Sequence, residues 1–100
     1  MAKLKRAQKD HDRKVRQVTA AARARGRAQV RADLPGRPAP PNIAGYRPDV
    51  VWRKRNGGLA IREIDPPGPL NPHDQCQDRA LREYARTRLR VDYRRLPYRR

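Results

Sequence analysis

Tyr46-Arg-Pro-Asp-Val-Val-Trp-Arg-Lys-Arg-Asn-Gly-Gly-Leu-Ala-Ile-Arg-Glu-Ile-Asp65 is the stretch around which the rest of the chain is arranged. Val50 to Arg53 and Leu59 to Ile64 are β-prone runs. Asn56-Gly57-Gly58 between them tolerates the positive φ angles of a tight hairpin turn. Folding back about Gly57 sets Asp49 opposite Asp65 and Val51 opposite Glu63. Because side chains alternate along a strand, Leu59, Ile61, Glu63 and Asp65 share one face with Asp49 and Val51. A slip of one residue would separate Asp49 from the other two acids.

Carboxylates that converge beside an apolar patch repel one another, and desolvation raises their pKa values. A divalent cation removes that objection. Mg²⁺, with Mn²⁺ as its substitute, takes one or two protein carboxylates and fills the rest of its shell with water and substrate phosphate. Asp49, Glu63 and Asp65 are therefore the candidate metal ligands and catalytic residues. The plainer alternative is that they pair with Arg47, Arg53 and Arg62 on a solvated surface.

The chain has 100 residues, enough for one domain with a small core, and it lacks Phe altogether. Its formal net charge is +16, and self-repulsion on that scale calls for a polyanionic partner. Nucleic acid, duplex DNA above all, is the expected partner. The bias toward Arg suits bidentate phosphate contacts. No apolar run approaches a membrane span, so no membrane partner is expected. Met1 to Lys9 is basic with no apolar stretch behind it, unlike a signal peptide. Cys76 is the only cysteine and rules out an intrachain disulfide, which fits a reducing, cytoplasmic setting. Trp52 and four tyrosines are few for stacking on single strands. A homodimer is left open.

In chain order, residues 1–9 are expected to be a basic flexible arm. Ala7, His11, Val15, Val18 and Ala22 recur at helical spacing, and Gly26 stops the amphipathic helix that runs from Asp10 to Arg25. His11 on that stripe is expected to pack at an edge rather than to ligate. Arg27 to Leu34 fits a short strand. Leu34 to Pro48 holds five prolines and two glycines in fifteen residues, an ordered loop with Ile43 and Tyr46 to bury. Asn71-Pro72 starts a second helix. It runs to Leu89 and is expected to bury Cys76, Ala80, Leu81, Tyr84 and Ala85. Arg90 to Leu96 alternates as a final strand, and residues 98–100 form a basic tail.

The resulting order is α-β-β-β-α-β, an α/β domain over residues 10–97 whose small mixed sheet of about four strands is flanked by two helices. Pro48-Asp49 followed by Glu63-x-Asp65 at the end of the next strand resembles the PD-(D/E)XK nuclease core of the restriction-endonuclease-like fold. Val30-x-Ala32-Asp33-Leu34-Pro35-Gly36, Ile43-x-Gly45-Tyr46-Arg47-Pro48-Asp49-Val50 and His73 to Tyr84 are similar to small, mainly prokaryotic proteins of that superfamily, loosely akin to Holliday-junction resolvases. The resemblance covers about residues 10–97. It implies that Asp49 and Glu63 hold Mg²⁺ and that Asp65 stands where the motif lysine orients the attacking water. An anion there binds metal but cannot donate to a phosphate. Lys54, at the far end of the hairpin, is no substitute. Gln77 and His73, at the start of the second helix, are candidate accessory residues at the mouth of the site.

The leading expectation is a nucleic-acid-binding protein with a nuclease-like core, a metal-dependent DNA phosphodiesterase or a descendant that has lost cleavage. Arg62, Arg79, Arg82 and Arg86 would grip the backbone without reading bases. The alternative is a non-catalytic, Arg-rich nucleic-acid-binding or assembly protein whose carboxylates are structural.

Overall fold

A computed structural model describes residues 2–66 and 68–97. The elements are α1 (Ala2–Ala24), β1 (Ala28–Ala32), β2 (Val50–Arg53), β3 (Leu59–Asp65), α2 (Pro72–Thr87) and β4 (Val91–Pro97). This is the expected order, in a four-stranded sheet arranged β1-β2-β3-β4. β1, β2 and β3 are antiparallel neighbours, while β4 runs parallel to β3. Parallel neighbours need a crossover, and α2 is that crossover.

α1 starts at Ala2 rather than at Asp10, so the expected flexible arm is, from residue 2 on, the first two turns of the helix. Lys, Leu, Arg, Ala and Gln there are all strong helix formers. Gly26, at φ +74°, ends the helix: its amide donates to the Arg23 carbonyl and the Arg27 amide to the Ala22 carbonyl. That pair of bonds is a Schellman cap, which needs a residue free to adopt positive φ. At the start of α2 the Asn71 side chain accepts from the Asp74 amide at 2.7 Å. The expected tail, residues 98–100, lies outside the described residues.

The sheet separates two apolar clusters. Val15 and Ala22 of α1 pack with Ala32, Leu34, Val50, Trp52, Ala60 and Ile64 on one face. Leu81 of α2 packs with Ile43, Val51 and Ile61 on the other, joined by Tyr84, Val91 and Tyr93. The stripe of α2 is thus Gln77, Leu81 and Tyr84, and Cys76, about 100° away around the helix, is exposed rather than buried. The Pro-rich loop is ordered: Ile43 and Tyr46 exchange backbone hydrogen bonds, and Ile43 and Pro48 are buried.

The hairpin pairs Val50 with Arg62, Val51 with Ile61, Trp52 with Ala60 and Arg53 with Leu59. Its pivot is Asn56, one residue earlier than expected. The Lys54 amide donates to the Gly58 carbonyl and the Gly57 amide to the Lys54 carbonyl, and Asn56 Oδ1 accepts from the Gly58 amide. Moving the pivot by one shifts the register by two. Every side chain therefore keeps its expected face, but Asp49 comes opposite Glu63 instead of Asp65.

Gly58 is where the hairpin turn meets the start of β4. A Cβ added there would lie 2.1 Å from the Arg90 carbonyl oxygen and 2.7 Å from its Cβ. The Leu59 amide donates to that same carbonyl at 2.9 Å, so the backbone cannot simply retreat. Gly58→Ala is expected to lower stability by ~1–3 kcal/mol, read as a fall in Tm. An unchanged melting curve would contradict this docking of β4 on the turn.

Candidate functional site

β2 begins at Val50, and Pro48 has no amide hydrogen to offer, so the β2–β3 ladder runs out at Asp49. The Asp49 side chain continues it: Oδ2 accepts from the Ile64 amide at 2.8 Å. In return the Asp49 amide donates to Glu63 Oε1 at 3.2 Å. From α1, His11 Nε2 lies 3.2 Å from Asp49 Oδ1. Two elements, β3 and α1, therefore fix one carboxylate.

Glu63 is almost completely buried, at 3% exposure. Burial, then the charge of Asp49 and a hydrogen bond between the two side chains, push its carboxyl up to about 9. At neutral pH Glu63 thus holds a proton that it shares with Asp49. His11 responds in the complementary direction, its hydrogen bond to Asp49 holding it protonated above the ordinary histidine range. The sequence did not single His11 out for this role. Its only signal was the 11-15-18-22 stripe, which aligns it with the buried face of α1 without saying what lies opposite.

The pair opens into a cleft of about 250 Å³ lined by His11, Asp49, Glu63, His73, Gln77 and Arg95 among others. Two sequence candidates arrive here from α2. Gln77 is buried at the start of the helix and faces the cleft. His73 is exposed and stands edge-on to Tyr46, ring centroids 5.8 Å apart.

Asp65 is placed differently from the expectation. Both of its oxygens accept from Arg95, with Nε to Oδ2 at 2.7 Å. The Tyr93 hydroxyl accepts from the same guanidinium at 2.6 Å and donates to Asp78 Oδ1 at 2.7 Å. Burial opposes the charge of Arg95, but the hydrogen bonds to Asp65 and Tyr93 outweigh it and raise its pKa. Asp65 thus anchors a cation that lines the cleft. Sequence spacing could not show this, because the partner comes from β4, whose parallel register sets Arg95 beside Glu63. Among the described residues, no group of three or more His, Cys, Asp and Glu side chains has the arrangement of a metal site.

Arg62 is not available to a phosphate. It is buried on the α1 side of the sheet, with Nη1 donating to the carbonyls of Ile61 and Asp92 and Nη2 to Asp92 Oδ2, at 2.9–3.0 Å. Its guanidinium also lies 4.8 Å from the centre of the Trp52 ring. An even-numbered position on β3 dictates that side. Arg79, Arg82 and Arg86 are exposed on α2, with Arg82 paired to Asp78 and Arg86 to Glu83. Neither the convergence of all three acids nor their pairing with Arg47, Arg53 and Arg62 describes the site. Two acids converge, and the third is bound by Arg95.

Comparison of the chain with family models, curated proteins and solved structures finds no match in any of the three. Among the described residues, no helix is long and apolar enough to cross a membrane.

Two outcomes test this geometry. The folded state keeps the Glu63 proton above the pH at which the unfolded chain loses it. The site's stabilising contribution is therefore complete below about 4.5, the ordinary glutamate value, and is lost as pH rises toward about 9. The slope is at most ~1.4 kcal/mol per pH unit. Protonated His11 acts in the same sense, its contribution vanishing as pH rises through its raised pKa. Glu63→Gln, a neutral isostere of the protonated acid, should flatten the decline of Tm between about pH 4.5 and 9, leaving the smaller decline that belongs to His11. Equal slopes for variant and wild type would count against the shared proton. Asp65→Ala leaves Arg95 without its main counter-charge and should cost ~3 kcal/mol by chemical denaturation; a loss near zero would show the pair to be loosely held.

Proposed function

We propose that this is a nucleic-acid-binding protein of the PD-(D/E)XK type, acting in the cytoplasm, with a metal-dependent phosphodiesterase centre at Asp49 and Glu63. The observation that carries the reading is the buried carboxyl pair at the mouth of a polar cleft, in a chain of net charge +16. Two acids forced to share a proton are a costly arrangement for stability alone, and perturbed carboxyl pairs in clefts mark functional sites.

The residues fit a hard divalent ion. Asp49 and Glu63 would hold Mg²⁺ or Mn²⁺, with water and phosphate oxygens completing the shell. Such an ion would polarise a phosphoryl oxygen and acidify a water. Its arrival requires Glu63 to release its proton, so binding should strengthen as pH rises toward about 9.

The chain's own groups have distinct tasks in this reading. The Ile64 amide and His11 aim the Asp49 carboxylate. Gln77 offers both a donor and an acceptor to water or to a phosphate oxygen. Arg95, held by Asp65 and Tyr93, sets a fixed positive charge on the cleft wall where an anionic ester would lie. Asp65 is thus a positioning residue for Arg95 rather than a ligand.

The commitment of Asp65 to Arg95 favours the second reading, a non-catalytic nucleic-acid-binding protein that kept the pair. One experiment separates the two. Calorimetric titration with Mn²⁺ in buffers of different ionisation enthalpy is expected to show release of about one proton per ion, and Asp49→Asn should abolish both heat and release. Nicking of plasmid DNA that depends on Mn²⁺ and on Asp49 would then establish catalysis. Proton-coupled binding without nicking would leave the non-catalytic reading, and no binding at all would remove the metal centre.

A further inference from the structure

The opposite end of the hairpin carries the opposite charge. Arg25 and Arg27, at the α1–β1 corner, and Arg53, Lys54 and Arg55, at the hairpin turn, line one recess of about 60 Å³ together with Gly26 and Ala28. No acid is among its lining residues. The four arginines are exposed. Asp92, the carboxylate that feels the charge of Lys54, is already bonded to Arg62 and Arg94.

Their meeting is dictated by the backbone. The Gly26 cap turns the chain so that β1 starts immediately, and the Ala28–Arg53 pairing then sets Arg27 beside Lys54. Five like charges gathered on a fixed frame repel one another. A bound oxyanion relieves that repulsion, and the recess has room for about four water-sized groups, the oxygens of one phosphate.

We propose that this recess grips a backbone phosphate of a nucleic-acid duplex whose other contact is the carboxyl cleft. Asp49 and Lys54 are five residues apart along an extended strand, roughly 17 Å. A duplex rises 3.4 Å per base pair, so one lying along the hairpin passes both sites within about five base pairs. Arg31 is exposed on the edge strand β1 between them, opposite Val51. The recess therefore anchors the duplex and the cleft meets it about five base pairs away along the axis. Among the described residues the one large apolar side chain that is strongly exposed, Leu89 at 92%, offers too little area for a membrane surface.

This inference rests on the nucleic-acid part of the function proposed above and not on its chemistry. The test compares two triple variants, Arg27→Gln/Arg53→Gln/Arg55→Gln at the recess and Arg79→Gln/Arg82→Gln/Arg86→Gln on α2, which remove equal charge. Binding to a duplex of about 24 base pairs is followed against salt. The recess variant should lower the slope of log K on log salt by about one, the ~0.9 of its one lost phosphate contact, and the α2 variant by clearly less. Inorganic phosphate should raise the Tm of the wild type and of the α2 variant but not of the recess variant. Should the recess triple fail to fold, Arg27→Gln and Arg55→Gln singly are each expected to lower the slope by a part of that amount, and the corresponding single changes at Arg79 and Arg86 by less. Equal slopes in the two triples overturn the proposal. So does recess-dependent binding to phosphatidylserine vesicles with unchanged duplex affinity. A fall confined to the recess variant, in a protein that takes up no Mn²⁺, would remove the phosphodiesterase centre and leave the grip standing.

Discussion

The hydrogen bond from the Ile64 amide to the Asp49 carboxylate is the contact from which the site follows. It lies where β2 departs from β3, and a side chain takes over a bond that the backbone can no longer make. Once Asp49 is fixed there, the rest is constrained. Glu63, directly opposite and buried, cannot ionise beside it and keeps its proton. His11, reaching over from α1, has its pKa raised by its hydrogen bond to Asp49. A structural need at the end of a ladder and a chemical asymmetry between two acids are thus one arrangement. Folding prevents the pair from relaxing in any other way, and in the function proposed above this is the proton that a metal ion would displace.

Arginine does two kinds of work in this chain. With few large apolar residues, the sheet is closed at β4 by polar contacts as well as by packing: Arg62 runs through to Asp92 beneath Trp52, and Arg95 joins Asp65, Tyr93 and Asp78. Removing one member of such a pair strands the other in a poorly solvated place, which makes these contacts specific even where their net contribution to stability is small. This also accounts for a final strand more polar than a buried strand usually is. The remaining arginines lie on the surface, and at the turn of the hairpin they gather without acids between them. The hairpin is therefore electrically polarised along its length, with a carboxyl cleft at its open end and a cationic recess at its closed end. A phosphate chain lying along it would meet both.

Much of the fold was legible because it depends on short-range signals. Gly26 needed positive φ, Asn71-Pro72 capped a helix, and Asn56-Gly57-Gly58 separated two β-prone runs; each acts on its own neighbours and each is where the pattern placed it. α1 starts eight residues before Asp10 because intrinsic helix preference outweighs repulsion among the basic residues there. In the site, Asp49, Glu63, His73 and Gln77 were identified and do meet at one cleft. Their meeting survived a wrong pivot only because a shift of two residues leaves every side chain on its face.

What the sequence by itself determined is the alternation of faces, the caps and turns, and hence which residues share a side of each element. These follow from dihedral preferences and from periods of 2 and 3.6, both local properties of the chain. What only the tertiary structure decided is who stands opposite whom. The parallel register of β4 brought Arg95 to Asp65, the parity of β3 buried Arg62 against Trp52 and Asp92, and the lie of α1 across the sheet brought His11 to Asp49. Apart from Trp52, which the hairpin brings to Arg62, those partners are about thirty to forty residues apart along the chain. A charge senses its neighbours through space, so no spacing along the sequence carries that information.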